Sequence, residues 1–313
     1  MGGLPYPRAT TPNLGREADL INYPNAISNA PSTLLSTPII LTRSRGEIDG
    51  RVWGEKSLIA AFNEAGYTTW YVSYLRKVHY GDNAVNQVVS DARNYQNSSP
   101  KEGELADLAG ARRVSEIIDS PEQKKLIVFK LIGSHFDVKD RFDETFNVFK
   151  PSYLDVKYDG LKLSEKDILV NSYDNSIRVT DSVVSSIIDK LRSTPGRTSL
   201  SFISDHGTTL YDDDKTALRS ATRWTYSIPL MFWLKPGYFD PAKRASLYDN
   251  RGDAVDSNCF LDTFLSLNDV SSPVKKGCDL THGRLDPYPR MVISGGKLVN
   301  FDQEFVVQRL ASK

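Results

Sequence analysis

Apolar and polar positions alternate along this chain in two different periods. In "EKSLIAAFNEAGY", Leu58, Ile59 and Phe62 share a helical face and Gly66 follows as a C-cap, so the segment reads as an amphipathic helix. The next run, "YTTWYVSY", is β-branched and aromatic and predicts a strand. Residues 79–103 are polar throughout and read as a surface excursion before the helical "ELADLAGARRVSEIID". "KKLIVFKLIGSH" is a nearly continuous apolar strand running out into Gly133, Ser134 and His135. Leu169, Tyr173, Ile177, Val184, Ile188 and Leu191 recur at near-helical spacing and predict a long helix over about 165–192. "SLSFISDHG" and "SIPLMFWL" are two further apolar strands, "NCFLDTFLSLNDV" is a helix, and "RMVISGGKLVNFD" is a hairpin turning at Gly295 and Gly296.

Continuous apolar strands suit a sheet covered on both faces, and their alternation with helices predicts one α/β domain over residues 1–313. Residues 1–20, rich in Pro, Thr and Gly, read as an extended arm leading into it. The expected architecture is a three-layer αβα sandwich around a mostly parallel sheet, with a small C-terminal hairpin.

The composition leaves this picture unchanged. The 313 residues are 40% hydrophobic and 25% charged, and 39 basic residues balance 39 acidic ones, so no global charge argues for a nucleic-acid partner. Its apolar runs all fall short of the 18 or so residues of a membrane span, and no export signal is visible at the start. Cys259 and Cys278 are the only cysteines; their spacing fits one local disulfide or two free thiols.

Chemistry enters at the strand ends. Open α/β sheets place their sites outside the carboxyl ends of their strands. Of four histidines in the chain, His135 and His206 both follow predicted strands there. Asp205 and His206 supply a hard oxygen and a borderline nitrogen, a pair suited to zinc or manganese, whereas the acidic run Asp212, Asp213 and Asp214 reads as a solvated turn. In "NAPSTLLSTP", Ser32 and Thr33 open a short apolar run; either is a helix cap, or the hydroxyl sits at a helix N-terminus suited to phosphate.

Taken in order, "YPRATTPNL", "NAPSTLLSTP", "AAFNEAGYTTW", "KLIGSHFDVKDRF", "NSYDNSIRVTD", "SFISDHGTT" and "SIPLMFWL" resemble the catalytic domain of bacterial phosphoethanolamine transferases, within the alkaline phosphatase and sulfatase superfamily. The resemblance implies an alkaline phosphatase-like fold and a zinc cofactor. It implies Thr33 as nucleophile and zinc ligand, Asp205 and His206 as further ligands, and His135 beside the phosphate or leaving group. Asn175 of the "YDN" stretch takes a supporting, substrate-binding place. The implied reaction moves phosphoethanolamine from phosphatidylethanolamine through Thr33 to lipopolysaccharide, on lipid A or a core sugar, or to another glycan. The implied setting is the periplasmic face of an inner-membrane protein.

The chain also departs from that pattern. The family carries a zinc-binding glutamate on a first strand ahead of the "YPR" stretch, and a membrane portion ahead of that, which would supply the membrane contact; both are expected to lie outside this sequence. A further family histidine, expected between His206 and the "SIPLMFWL" strand, has no counterpart, and Arg219 or Arg223 is the candidate to meet phosphate instead. Competing readings are a phosphatase or phosphodiesterase of the same superfamily, and a remnant that binds headgroup, glycan or protein through the old cleft. A sulfatase needs Cys or Ser in a C/S-x-P-x-R context, which "PSTLLSTPIILTR" fits poorly.

Overall fold

A computed structural model describes residues 7–44, 55–74, 84–97, 100–212, 214, 217, 221–271 and 277–306. In chain order its elements are β1 (Leu20–Asn22), α1 (Thr33–Leu41), α2 (Leu58–Glu64), β2 (Thr68–Ser73), α3 (Ala84–Ser90), β3 (Asn94–Asn97), α4 (Ala106–Ile118) and β4 (Lys125–Lys130). They continue with α5 (Lys166–Ser193), β5 (Ser199–Ile203), α6 (Arg223–Tyr226), β6 (Leu230–Leu234), α7 (Pro241–Asn250), α8 (Cys259–Leu267), β7 (Met291–Ser294), β8 (Lys297–Asn300) and α9 (Phe301–Val306).

The architecture is mixed α/β. β3, β2 and β4 form a parallel sheet in that order, with Trp70 opposite Asn94 on one side and Ile127 on the other. β5 and β6, expected to extend a parallel sheet, pair antiparallel instead, and β1 joins the other edge of β6, also antiparallel. The polar excursion holds α3 and β3. Among the described residues β3 is paired only to β2, and "NYQN" need not be apolar on both faces.

Period-2 alternation sorts the strands' side chains into two helical layers. From β6, Leu230, Phe232 and Leu234 pack with Ile59 and Phe62 of α2 and with Phe260 and Leu265 of α8. Met231 and Trp233 point the other way, against Val184 and Ile188 of α5. In β2, Tyr71 belongs to the first layer and Val72 to the second, where it meets Val114 of α4 and Val183 of α5. Full burial of each such side chain stabilises the fold by about 1.5–3 kcal/mol.

The long helix α5 is also an anchor for loops. Its Asp181 carboxylate accepts the backbone N–H groups of Asn13 and Leu14, and its Asp174 pairs with Arg8 at 2.9 Å. The "YPR" and "YDN" stretches are therefore clasped to one another. Cys259 and Cys278 form a disulfide, so of the two arrangements open to the sequence the free thiols are excluded. The hairpin β7–β8 turns at Gly295 and Gly296, with φ of 56° and 75°, backbone that glycine adopts without strain.

Candidate active site at the carboxyl ends of β4 and β5

The site begins with a short segment held from three sides. Ile27 bridges to Ser227 and Asp256, the Ser28 N–H donates to the Tyr226 carbonyl, and Asn29 accepts from Ser257 Oγ and from the Ile293 N–H. This stitching aims the following residues, and α1 starts at Thr33. Ser32 takes the N-cap position in extended backbone, yet its side chain makes no capping bond. Thr33 does not cap either. Its Oγ1 donates to Asp205 Oδ2 at 2.6 Å.

Asp205 lies two residues beyond the end of β5 and gathers the other groups. Lys130, the last residue of β4, places Nζ 3.0 Å from the same Oδ2. The His206 N–H donates to Oδ1 at 3.1 Å, and His206 Nε2 stands 3.9 Å from Oδ2. Ser28 Oγ donates to the Asp205 backbone carbonyl at 2.5 Å and fixes the peptide from behind. Burial by itself would raise the Asp205 carboxyl; the Lys130 ammonium, His206 and the Thr33 hydrogen bond outweigh it and hold the group well below the usual carboxylate range. Asp205 is thus held as an anion and is a weak base.

One ring nitrogen of His206 is engaged: Nδ1 lies 2.7 Å from the Gly207 carbonyl, which can only accept, so Nδ1 donates there and Nε2 is the nitrogen on the Asp205 side. Behind it, the Gly207 N–H donates to Thr225 O at 2.7 Å, which seats the loop on α6. On the other side, the buried Asp107 of α4 accepts the N–H groups of Ile132 and Gly133 at 2.8 and 2.7 Å and shapes the loop that leaves β4. Burial pushes the Asp107 carboxyl up, and these two bonds with the charges of Arg141 and Lys130 offset only part of that.

A hydroxyl at the start of a helix, the carboxylate it donates to and the histidine next to that carboxylate thus share one site. The sulfatase family profile matches residues 1–269. The chain belongs to the sulfatase family. It is 29% identical over 241 residues to phosphoethanolamine transferase EptC of Escherichia coli strain RS218, covering 73% of this chain and 41% of that protein. It is 24% identical over 255 residues to the Kdo(2)-lipid A phosphoethanolamine 7''-transferase of Escherichia coli K12, covering 79% of this chain and 44% of that one. The chain therefore spans less than half the length of these relatives. The C-terminal periplasmic domain of Escherichia coli EptC, solved in complex with zinc, superposes with a TM-score of 0.78 at 21% identity, over 95% of this chain and 87% of that one. The α/β fold read from the strand and helix pattern is that of this family.

Within this sulfatase-family domain, Thr33, Asp205 and His206 lie together, the three residues that the family resemblance groups as ligands. His135 does not stand at a strand end. β4 stops at Lys130, and His135 lies five residues further on, exposed, with Nδ1 2.6 Å from the Phe136 carbonyl. Among the described residues no hydrogen bond or ion pair joins it to Thr33, Asp205 or His206. Asn175 is fully buried; its side-chain oxygen accepts from the N–H groups of Val148 and Phe149, and its amide donates to Asn147 Oδ1 and the Phe149 carbonyl. It builds the 147–149 loop and has no atom left for a substrate, which corrects the substrate-binding assignment. Arg223 opens α6, the helix under Gly207, and its guanidinium lies over the Trp224 ring. Arg219 lies outside the described residues. The acidic run is a turn where it is described: Asp212 accepts the Leu210 N–H, and the exposed Asp214 meets Lys166.

Lys130 is the site residue that strand and motif reading misses. Its signal was present in "LIVFKLI", one cation inside an apolar run with no acid beside it, since a half-buried charge requires a partner from elsewhere in the chain.

Thr33 Oγ1, Asp205 Oδ2 and His206 Nε2 are oxygen and nitrogen donors of the kind zinc takes, and the Nδ1 contact with the Gly207 carbonyl leaves Nε2 as the nitrogen for a ligand. By donor chemistry they fit three positions of a tetrahedral ion. Among the described residues no cluster of three or more His, Cys, Asp or Glu side chains exists, so a fourth donor is not supplied by that set.

Proposed function

We propose that this chain is the catalytic domain of a zinc-dependent phosphoethanolamine transferase that works through a phosphorylated Thr33. The observation that carries the reading is the Thr33 hydroxyl at the first residue of α1, bonded to the Asp205 carboxylate beside His206, whose Nδ1 is taken up by the Gly207 carbonyl. Similarity to two proteins named as phosphoethanolamine transferases, and to a zinc-complexed periplasmic domain, supports it.

Thr33, Asp205 and His206 would hold the zinc, which when bound lowers the pKa of the Thr33 hydroxyl and offsets phosphate charge. Asp205 orients the Thr33 oxygen, and the N-terminus of α1 favours the phosphate oxygens. The Thr33 oxygen attacks the phosphorus of phosphatidylethanolamine, losing its proton to water. The bond to diacylglycerol breaks, and the departing oxygen takes a proton from His135, which would reach the site with substrate bound. An acceptor oxygen on lipopolysaccharide, in lipid A or a core sugar, or on another glycan then displaces Thr33. The domain works on the periplasmic face of the inner membrane, where donor and acceptor lipids meet.

The test is mass spectrometry of the protein after incubation with phosphatidylethanolamine and zinc. A phosphoethanolamine adduct on Thr33, absent from Thr33→Ala, is expected. An adduct that survives Thr33→Ala would overturn the assignment.

A further inference from the structure

Asp205 already accepts three hydrogen bonds before any metal is considered. Oδ2 accepts from Thr33 Oγ1 at 2.6 Å and from Lys130 Nζ at 3.0 Å, while Oδ1 accepts the His206 N–H at 3.1 Å. The ammonium therefore sits on the oxygen that a metal held with Thr33 and His206 would take. The charges conflict as well. One carboxylate here balances one ammonium, and among the described residues no acidic cluster adds negative charge to compensate a divalent ion.

We propose that Lys130 is the resident cation of this site and controls its metal loading: Asp205 receives a divalent ion only by releasing the Lys130 ammonium. This rests on the reading of Thr33, Asp205 and His206 as the metal-binding set. Two cations on one oxygen repel strongly in a half-buried site, where the effective dielectric is well below that of water. Lysine suits the exchange. Its ammonium is a point charge on a flexible four-carbon stem, and the side chain is 26% exposed, so it has both the freedom and the water to swing away. The position is fixed by the fold, because β4 ends at Lys130 with the following loop tied to Asp107 through Ile132 and Gly133. The stem cannot drift far from Asp205, so the ammonium returns whenever the metal leaves.

Zinc affinity, measured by competition with a chromophoric chelator and without any lipid, tests this. Lys130→Met keeps the stem and removes the charge, and is expected to bind zinc about tenfold more tightly than the parent or better. Lys130→Arg keeps the charge and can grip Asp205 with two N–H groups, so it is expected to bind zinc no more tightly than the parent. Equal or weaker binding by a folded Lys130→Met, judged by its circular dichroism melt, would overturn the proposal. Should Lys130→Met not fold, the arginine variant decides, because tighter zinc binding by Lys130→Arg contradicts the competition. The Thr33 adduct experiment is independent of both. Its failure alongside a zinc gain in Lys130→Met removes the transferase reading and leaves the role of Lys130 standing.

Discussion

Gly207 is where the site's backbone is most tightly constrained, and Gly207→Ala is the substitution whose cost the geometry fixes most directly. A Cβ added there would lie 2.0 Å from the Trp224 carbonyl oxygen and 2.7 Å from that of Ser227, whereas real Cβ atoms stay beyond 3.0 Å. Both obstacles are backbone, and both belong to α6 or its C-terminal flank, so neither moves by a rotamer change. The loop and α6 must separate by about 1 Å at least, the difference between 2.0 and 3.0 Å. Such separation breaks the 2.7 Å bond from the Gly207 N–H to Thr225 O. Overpacking costs about 1–3 kcal/mol and the lost hydrogen bond about 1 kcal/mol, together roughly 2–4 kcal/mol. For a chain of this size that lowers the melting temperature by about 3–6 °C. Because Asp205 and His206 immediately precede Gly207, zinc affinity should fall as well, which a mere loss of stability would not produce in the folded fraction. A circular dichroism melt within about 2 °C of the parent would refute the reasoning, since it would mean the two backbones are not in contact.

Two further outcomes follow from other parts of the fold. The Cys259–Cys278 disulfide closes a loop with a sequence separation of 19, so the double variant Cys259→Ser, Cys278→Ser should lose roughly 3 kcal/mol in urea unfolding; an unchanged midpoint would contradict this. Asp107 titrates above its ordinary value of 3.8 because it is buried, so between that value and its raised folded pKa the native state holds a proton that the unfolded chain has lost. Stability from this group therefore falls as pH rises through that window. The stability of the parent minus that of Asp107→Asn should be smaller at pH 7 than at about pH 4, and a difference that is flat or rises with pH would refute the sign.

Much of the fold was legible because it depends on periodicity. The spacing from Leu169 to Leu191 predicts α5 to within about a residue at either end, and the apolar runs locate β2, β4, β5 and β6. Strand direction was not legible. The runs that became β4 and β6 look alike in composition, yet one pairs parallel and the other antiparallel, since burial on both faces constrains the side chains and says nothing of chain direction. β3 escaped notice because "NYQN" offers a single aromatic, Tyr95, to the core, too short a signal for a strand.

The candidate site divides in the same way. Asp205, His206 and Gly207 are contiguous, and a polar strand end followed by glycine is visible in one line of sequence. Thr33 is 172 positions from Asp205, and its alternative role as a cap could be dismissed only once its hydroxyl was seen bonded to that carboxylate. Asn175 misled for the opposite reason. A polar residue on a long helix near a catalytic motif has the composition of a substrate contact, but its four hydrogen-bonding directions were already spent on a buried loop. Lys130 completes the argument. Lys130 and Asp205 are separated by 75 positions and belong to different predicted strands, so neither period nor motif pairs them. What the sequence did carry was an imbalance, a lone cation within an apolar run. A half-buried charge is stable only when a partner of opposite sign reaches it, and the one it found is the carboxylate around which the site is built.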